Sequence, residues 1–202
     1  MKKNSIALII LVYLFHSQAF SFGTFLNSAK VLKNQEYDIS AFTQLFSDSR
    51  RGAFVSGVVD LPLSYDKNLR FYGGSGSYEY ALGAQLKWVP FQQIDDYVFS
   101  IGTTFGFDYG YDDRTGFLLA RISPFISRDF SWEFGHFEPY IALPTGSIFV
   151  NSDTNLYMQA AIGANIYFEE LKYMRFSFEG GFNIEDAQSY FAIMATLQLT
   201  QK

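Results

Sequence analysis

The sequence predicts an all-β chain that closes into an antiparallel, up-and-down transmembrane β-barrel of ten strands joined by short turns. Three observations carry this reading. Apolar residues make up 49% of the 202 residues and aromatics 19%, while charged residues are only 17% and cysteine is absent. From residue 36 onward apolar and polar residues alternate at period two, the spacing that sends successive side chains to opposite faces of a sheet. The apolar face continues along runs of about 12 residues, against the roughly 9–11 that a tilted membrane strand needs.

The same composition excludes other classes. A disordered chain has few aromatics and high charge, and a disulfide scaffold or cysteine-ligated zinc site needs cysteine. A nucleic-acid binder carries a basic surplus, whereas the formal net charge here is −5.

Taken in chain order, Lys2 and Lys3 precede an unbroken apolar run from Ile6 to Phe15, followed by the small residues Ala19 and Ser21. This predicts a signal peptide over residues 1–21, cut after Ser21. The run falls short of the roughly 20 apolar residues that span a bilayer as a helix. Removing it leaves thirteen basic against twenty acidic residues, a net charge of −7. Residues 22–35 show no alternation and read as a periplasmic lead-in, with one helical turn around Ala29 to Leu32. The barrel domain then occupies 36–202.

Ten strands are predicted at 36–46, 53–64, 69–73, 78–91, 97–109, 116–127, 136–149, 155–168, 173–184 and 189–200. The pattern is cleanest in 156–168, where Leu156, Met158, Ala160, Ile162, Ala164, Ile166 and Phe168 face one way. Clusters of Gly, Ser, Asn and Asp separate the runs. The segment Leu69 to Gly73 is short, and merging it with a neighbour gives an eight-stranded alternative. An even count returns both termini to one side.

A soluble barrel alternates too, so the less apolar face decides between solvents. Here it combines small residues with charges: Arg70, Glu79, Lys87, Arg121, Glu138, Arg175 and Glu179. These predict a lumen charge network in which Arg70, Arg121 and Arg175 pair with Glu79, Glu138 and Glu179. An interior of this size is just filled by side chains, so the network reads as a plug rather than a selectivity filter. Charges buried there need partners. Aromatics near strand ends predict two interface girdles: Trp88, Tyr97, Phe137 and Phe168 at the periplasmic rim, and Tyr78, Tyr109, Phe149, Phe182 and Phe191 at the other. The high β-propensity of aromatic residues accounts for part of this enrichment.

The lead-in Ser28–Ala29–Lys30 is followed by Glu36–Tyr37–Asp38–Ile39, and later come Leu86–Lys87–Trp88–Val89–Pro90–Phe91 and Phe137–Glu138–Pro139–Tyr140–Ile141–Ala142–Leu143–Pro144. On these strings, and over Glu36 to Thr200, the chain resembles small single-chain outer-membrane β-barrel proteins of Gram-negative bacteria. The resemblance implies location in the bacterial outer membrane. It also implies outer-membrane lipid, lipopolysaccharide and the barrel assembly machinery as partners, and it brings no activity with it. Such barrels usually end in an aromatic residue read by that machinery, whereas this sequence ends Leu199–Thr200–Gln201–Lys202.

Chemistry is sparsely represented. Proton shuttling in a barrel enzyme needs histidine beside Ser, Asp or Glu, and only His136 remains once His16 leaves with the signal peptide. Lipid A deacylases of this architecture carry a His-x-Ser pattern where this chain has His136–Phe137–Glu138. A structural His136–Glu138 pair is the expectation, and no catalytic residues are assigned. Asp95–Asp96 and Asp112–Asp113 read as solvated turns rather than Ca²⁺ sites, so no metal is assigned. Gly73–Gly74–Ser75–Gly76 precedes a strand rather than a helix, which makes it a turn and not a phosphate cradle. Arg50–Arg51 reads as an exposed loop. The expectation is a non-enzymatic outer-membrane protein with no cofactor and no nucleic-acid partner, serving envelope structure or surface interaction. The alternatives are a narrow pore for ions or small solutes, a lipid A-modifying enzyme and a soluble periplasmic ligand-binding barrel.

Overall fold

In the computed structural model of the chain, the described residues are 26–47, 52–93, 98–112 and 115–200. The signal peptide, Arg50–Arg51, Asp95–Asp96, Tyr97 and Asp113 lie outside them. Twelve strands form one sheet among these residues: β1 (Glu36–Phe46), β2 (Gly52–Ser64), β3 (Lys67–Gly76), β4 (Tyr80–Phe91), β5 (Ser100–Asp112), β6 (Thr115–Ser127), β7 (Phe130–Trp132), β8 (Gly135–Ala142), β9 (Thr145–Val150), β10 (Asp153–Phe168), β11 (Met174–Glu185) and β12 (Tyr190–Thr200).

Every strand-to-strand step is antiparallel, and the sheet closes where β1 pairs with β12 from Glu36↔Thr200 to Phe46↔Tyr190. The result is a closed barrel of ten staves, because β8 and β9 are successive parts of one. Both pair with β6 on one side and β10 on the other. Leu143–Pro144 interrupts that stave because proline has no N–H to give to a ladder. The neighbours still bond across the break, Leu143 N–H to the Pro124 carbonyl at 3.0 Å and Gln159 N–H to the Pro144 carbonyl at 2.9 Å. Strand β7 stands outside the ring and pairs only with β8. The segment read as short, 69–73, is the middle of the ten-residue β3.

Burial follows the alternation. In β1 the side chains of Asp38, Ser40, Phe42, Gln44 and Phe46 are buried, and the residues between them are exposed. Outward-facing apolar side chains circle the whole wall, among them Leu45, Val55, Phe71, Leu82, Phe107, Leu118, Ile141, Ile162, Phe182 and Ile193. A belt of that extent far exceeds the patches a soluble monomer exposes.

Glycine has a specific place in this wall. Five inward aromatics sit directly across from a glycine on the neighbouring strand: Tyr72↔Gly83, Phe117↔Gly110, Phe125↔Gly102, Tyr140↔Gly163 and Tyr190↔Gly181. A Cβ at each of these glycines would overlap the facing ring. The missing side chain is the space into which the ring folds, so large groups fit in a narrow lumen.

Aromatics on the outer wall include Trp88, Tyr109, Phe137, Phe149, Phe182 and Phe191, and Phe168 is half-buried against Trp132 and Phe176. Tyr78 departs from the girdle assignment. It is fully buried inside the distal mouth, the end away from the termini, against Phe46, Phe54 and Phe117. Residues 77–79 belong to the turn before β4, where Ser77 N–H bonds the Ala53 carbonyl and Glu79 N–H the Tyr111 carbonyl. Period two does not apply there, so Tyr78 turns in and Glu79 turns out.

At the rim that carries the termini, Asp66 ties the β2–β3 turn to β4. Its carboxylate accepts from Ser64 Oγ (2.7 Å), Lys67 Nζ (2.9 Å) and Trp88 Nε1 (2.8 Å). The Lys67 ammonium and the Ser64 hydroxyl pull its pKa down from 3.8 to about 2. A carboxyl depressed on folding stabilises fully above its unfolded pKa and loses that contribution as pH falls through the folded one. Asp66→Asn is therefore expected to lower the guanidinium unfolding midpoint at pH 6. That gap should close between pH 4 and pH 2; a gap unchanged at pH 2 would show the carboxylate contributes nothing.

Candidate functional site

The lumen has two halves of different chemistry, because inward residues near the distal rim are mainly apolar, with Gln44, Gln159 and Gln188 buried among them, and those nearer the termini are polar. The distal half is a packed cluster of Phe42, Phe46, Phe54, Tyr78, Phe117, Leu119, Ile148, Tyr157 and Met194. Rings there meet edge-on or tilted, with Phe46–Tyr78 at 5.9 Å and Tyr78–Phe117 at 5.5 Å.

The half nearer the termini holds the buried charges, and the chain's own lead-in is threaded among them. Residues 26–29 and Leu32 are buried, with no helix between Leu26 and Gln35. Of the lead-in expected in the periplasm, the stretch from Leu26 to Leu32 is thus a plug inside the barrel. The helical turn expected around Ala29 to Leu32 is replaced by irregular backbone whose polar groups the wall satisfies. Glu179 accepts from Leu26 N–H (2.7 Å), and Arg70 donates to the Leu26 carbonyl (3.0 Å). Asn165 donates to the Asn27 carbonyl (3.0 Å), and Lys87 Nζ to the carbonyls of Ser28 (2.9 Å) and Lys30 (2.6 Å). Glu138 accepts from Ala29 N–H (2.7 Å) and Ser28 Oγ (2.8 Å), and Asn68 accepts from Leu32 N–H (3.1 Å). Buried backbone must be paired, and helix or ladder partners do not exist for this segment.

The charges pair differently from the expected arginine–glutamate scheme. Arg70 forms a two-pronged ion pair with Asp60, Nε–Oδ1 2.7 Å and Nη2–Oδ2 2.8 Å. Arg121 pairs with Asp108 at 2.9 Å, and Arg175 with Asp38 at 3.2 Å. Asp60 and Arg70 face each other in the β2–β3 register. The short aspartate stem reaches a neighbouring arginine within the wall, which frees the longer glutamates to reach the lumen axis. Glu138 also accepts from Ser127, Asn165 and Tyr167. Glu179 accepts from Tyr140 (2.7 Å) and Tyr190. Glu79 is exposed and takes no part.

Of the seven residues assigned to the lumen, six are buried together and one lies outside. The assignment missed Asp38, Asp60 and Asp108, all on inward positions. A hairpin centred on Tyr65 would have placed Asp60 opposite Arg70.

Between Leu26, Phe42, Val58, Arg70, Tyr72 and Gln85 the remaining space is about 10 Å³, room for about one water. A larger vestibule of about 900 Å³ lies at the rim of the termini, bounded by Ala29, Lys30, His136, Glu138, Tyr167 and Lys172. His136 pairs with Asp129 at 3.4 Å, not with Glu138, whose carboxylate is occupied by the plug and wall. Among the described residues no three His, Cys, Asp or Glu side chains gather as metal ligands.

The sequence matches no protein-family model and no curated protein. Solved structures similar to this chain include the following three. A de novo designed transmembrane β-barrel is 12% identical, with TM-score 0.40, covering 84% of this chain and 100% of its own. The β-domain of the Bordetella autotransporter BrkA is 10% identical, with TM-score 0.42, covering 82% and 99%. An outer-membrane channel from Pseudomonas putida F1 is 6% identical, with TM-score 0.49, covering 89% and 100%. The fold itself is a closed, ten-stranded antiparallel β-barrel with an outward apolar belt.

Proposed function

We propose that this chain is a non-enzymatic outer-membrane protein whose barrel is sealed, serving envelope structure or surface interaction rather than transport. The observation that carries the reading is the doubly filled lumen, with an aromatic pack in one half and the Leu26–Leu32 segment bound in the other. The unbroken outward apolar belt supports a lipid surround. A pore of ions or small solutes needs a continuous polar path, and the distal cluster interrupts one.

Purified protein in planar bilayers is expected to give no unitary conductance at up to 150 mV in about 1 M salt. Removing the bulk at the distal mouth with Tyr78→Ala and Phe117→Ala together is expected to leave the bilayer silent while the plug is in place. Reproducible single-channel steps from the unaltered protein would overturn the sealed reading in favour of the narrow pore. Recovery in the supernatant after carbonate washing of envelopes would overturn the membrane location.

A further inference from the structure

The contacts inside the lumen have a chemical bias: the wall addresses the plug mainly through its main chain. Seven backbone groups between Leu26 and Leu32 are bonded by side chains of β3, β4, β8, β10 and β11. Those wall residues, Asn68, Arg70, Lys87, Glu138, Asn165 and Glu179, are themselves at least nine-tenths buried. The side chains add to these contacts: Leu26 joins the apolar cluster, Asn27, Ala29 and Leu32 are buried, Ser28 Oγ reaches Glu138 and Tyr167, and the exposed Lys30 reaches Gln198 through Nζ. Beside the plug the 900 Å³ vestibule is unfilled and reaches the same carboxylate, Glu138, from the rim of the termini.

A set of fixed donors and acceptors matched to carbonyls and N–H groups of an irregular segment, with an open approach at one end, is the construction of a peptide site. We infer that the polar half of the lumen is a peptide-binding chamber, occupied in this fold by the chain's own lead-in and able to take the same segment as a separate molecule. Its ligand class is a short peptide entering from the rim of the termini. It has an apolar first residue, asparagine at the second position, serine and a small residue at the third and fourth, and an apolar seventh. Lys87 is the recognition residue with the narrowest role, since both its hydrogen bonds go to plug carbonyls.

The test uses the full chain folded in detergent micelles, with a site-specific protease sequence inserted at the exposed turn between Asn34 and Gln35. After cutting, a fluorescein-labelled synthetic peptide of residues 26–34 is added in excess, first directly and then during unfolding and refolding of the cut barrel. Saturable uptake is expected in at least one format. The Ala29→Trp peptide should bind at least tenfold more weakly, and so should the unaltered peptide to a Lys87→Met barrel. The peptide variant leaves the barrel untouched, so it decides the matter even where Lys87→Met fails to fold. Uptake no better than that of a scrambled peptide in both formats, by a barrel whose gel mobility shows it folded, would overturn the inference. Equal binding of the Ala29→Trp peptide would do the same.

Discussion

Replacing Glu138 with alanine is expected to destabilise the barrel by about 3–5 kcal/mol, the scale for removing one partner of a buried charged group. Its carboxylate is the meeting point of Ala29 N–H, Ser28 Oγ, Ser127 Oγ, Asn165 Nδ2 and Tyr167 OH. Deleting it leaves several donors from plug and wall without an acceptor, and each such group that stays buried costs about 1–3 kcal/mol. The Glu138→Gln protein keeps an oxygen of the same reach and should lose less than half as much. Guanidinium unfolding in micelles reads both values. Proteolysis separates local from global effects: in Glu138→Ala, cleavage after Lys30 and Lys33 should speed up well before the wall unfolds. A protein with unaltered midpoint and unaltered cleavage there would mean the carboxylate does not hold the plug.

The second large effect is expected at Gly163, where substitution to valine should cost about 3 kcal/mol. A Cβ at this position overlaps the Tyr140 ring and the Phe178 carbonyl oxygen, a backbone atom that cannot swing away. Overpacking of a filled interior costs about 1–3 kcal/mol. Moving Tyr140 also breaks its hydrogen bond to Glu179, and bonds to a charged group contribute about 1.5–3 kcal/mol. Gly57 is the matched control. It faces outward on β2 with nothing within 4 Å of its Cβ position, so Gly57→Val should be neutral or slightly stabilising through β-propensity. Equal effects at the two glycines would show that the ring-over-glycine packing is not what limits the interior.

The expectations that failed share a cause. Tyr78 and Glu79 were placed by extending the β4 alternation two residues too far, into a turn whose backbone bonds run to Ala53 and Tyr111. The pairing of Arg70, Arg121 and Arg175 with glutamates weighed charge without register. Asp60 and Arg70 become neighbours once the β2–β3 hairpin is fixed, and Asp38 and Arg175 only once β1 closes onto β12. The lead-in lacks alternation, and irregular backbone has no period by which a sequence shows its burial.

By itself the sequence determined the strand number and the faces of the strands. Those properties live in period two and turn residues, both local along the chain. The tertiary structure alone decided which aspartate meets which arginine, that glycines sit under inward rings, and that residues 26–32 fill the polar half of the lumen. Each depends on register across strands or on closure of the ring, which brings together residues as distant as Leu26 and Glu179. Periodicity carries no record of such distances.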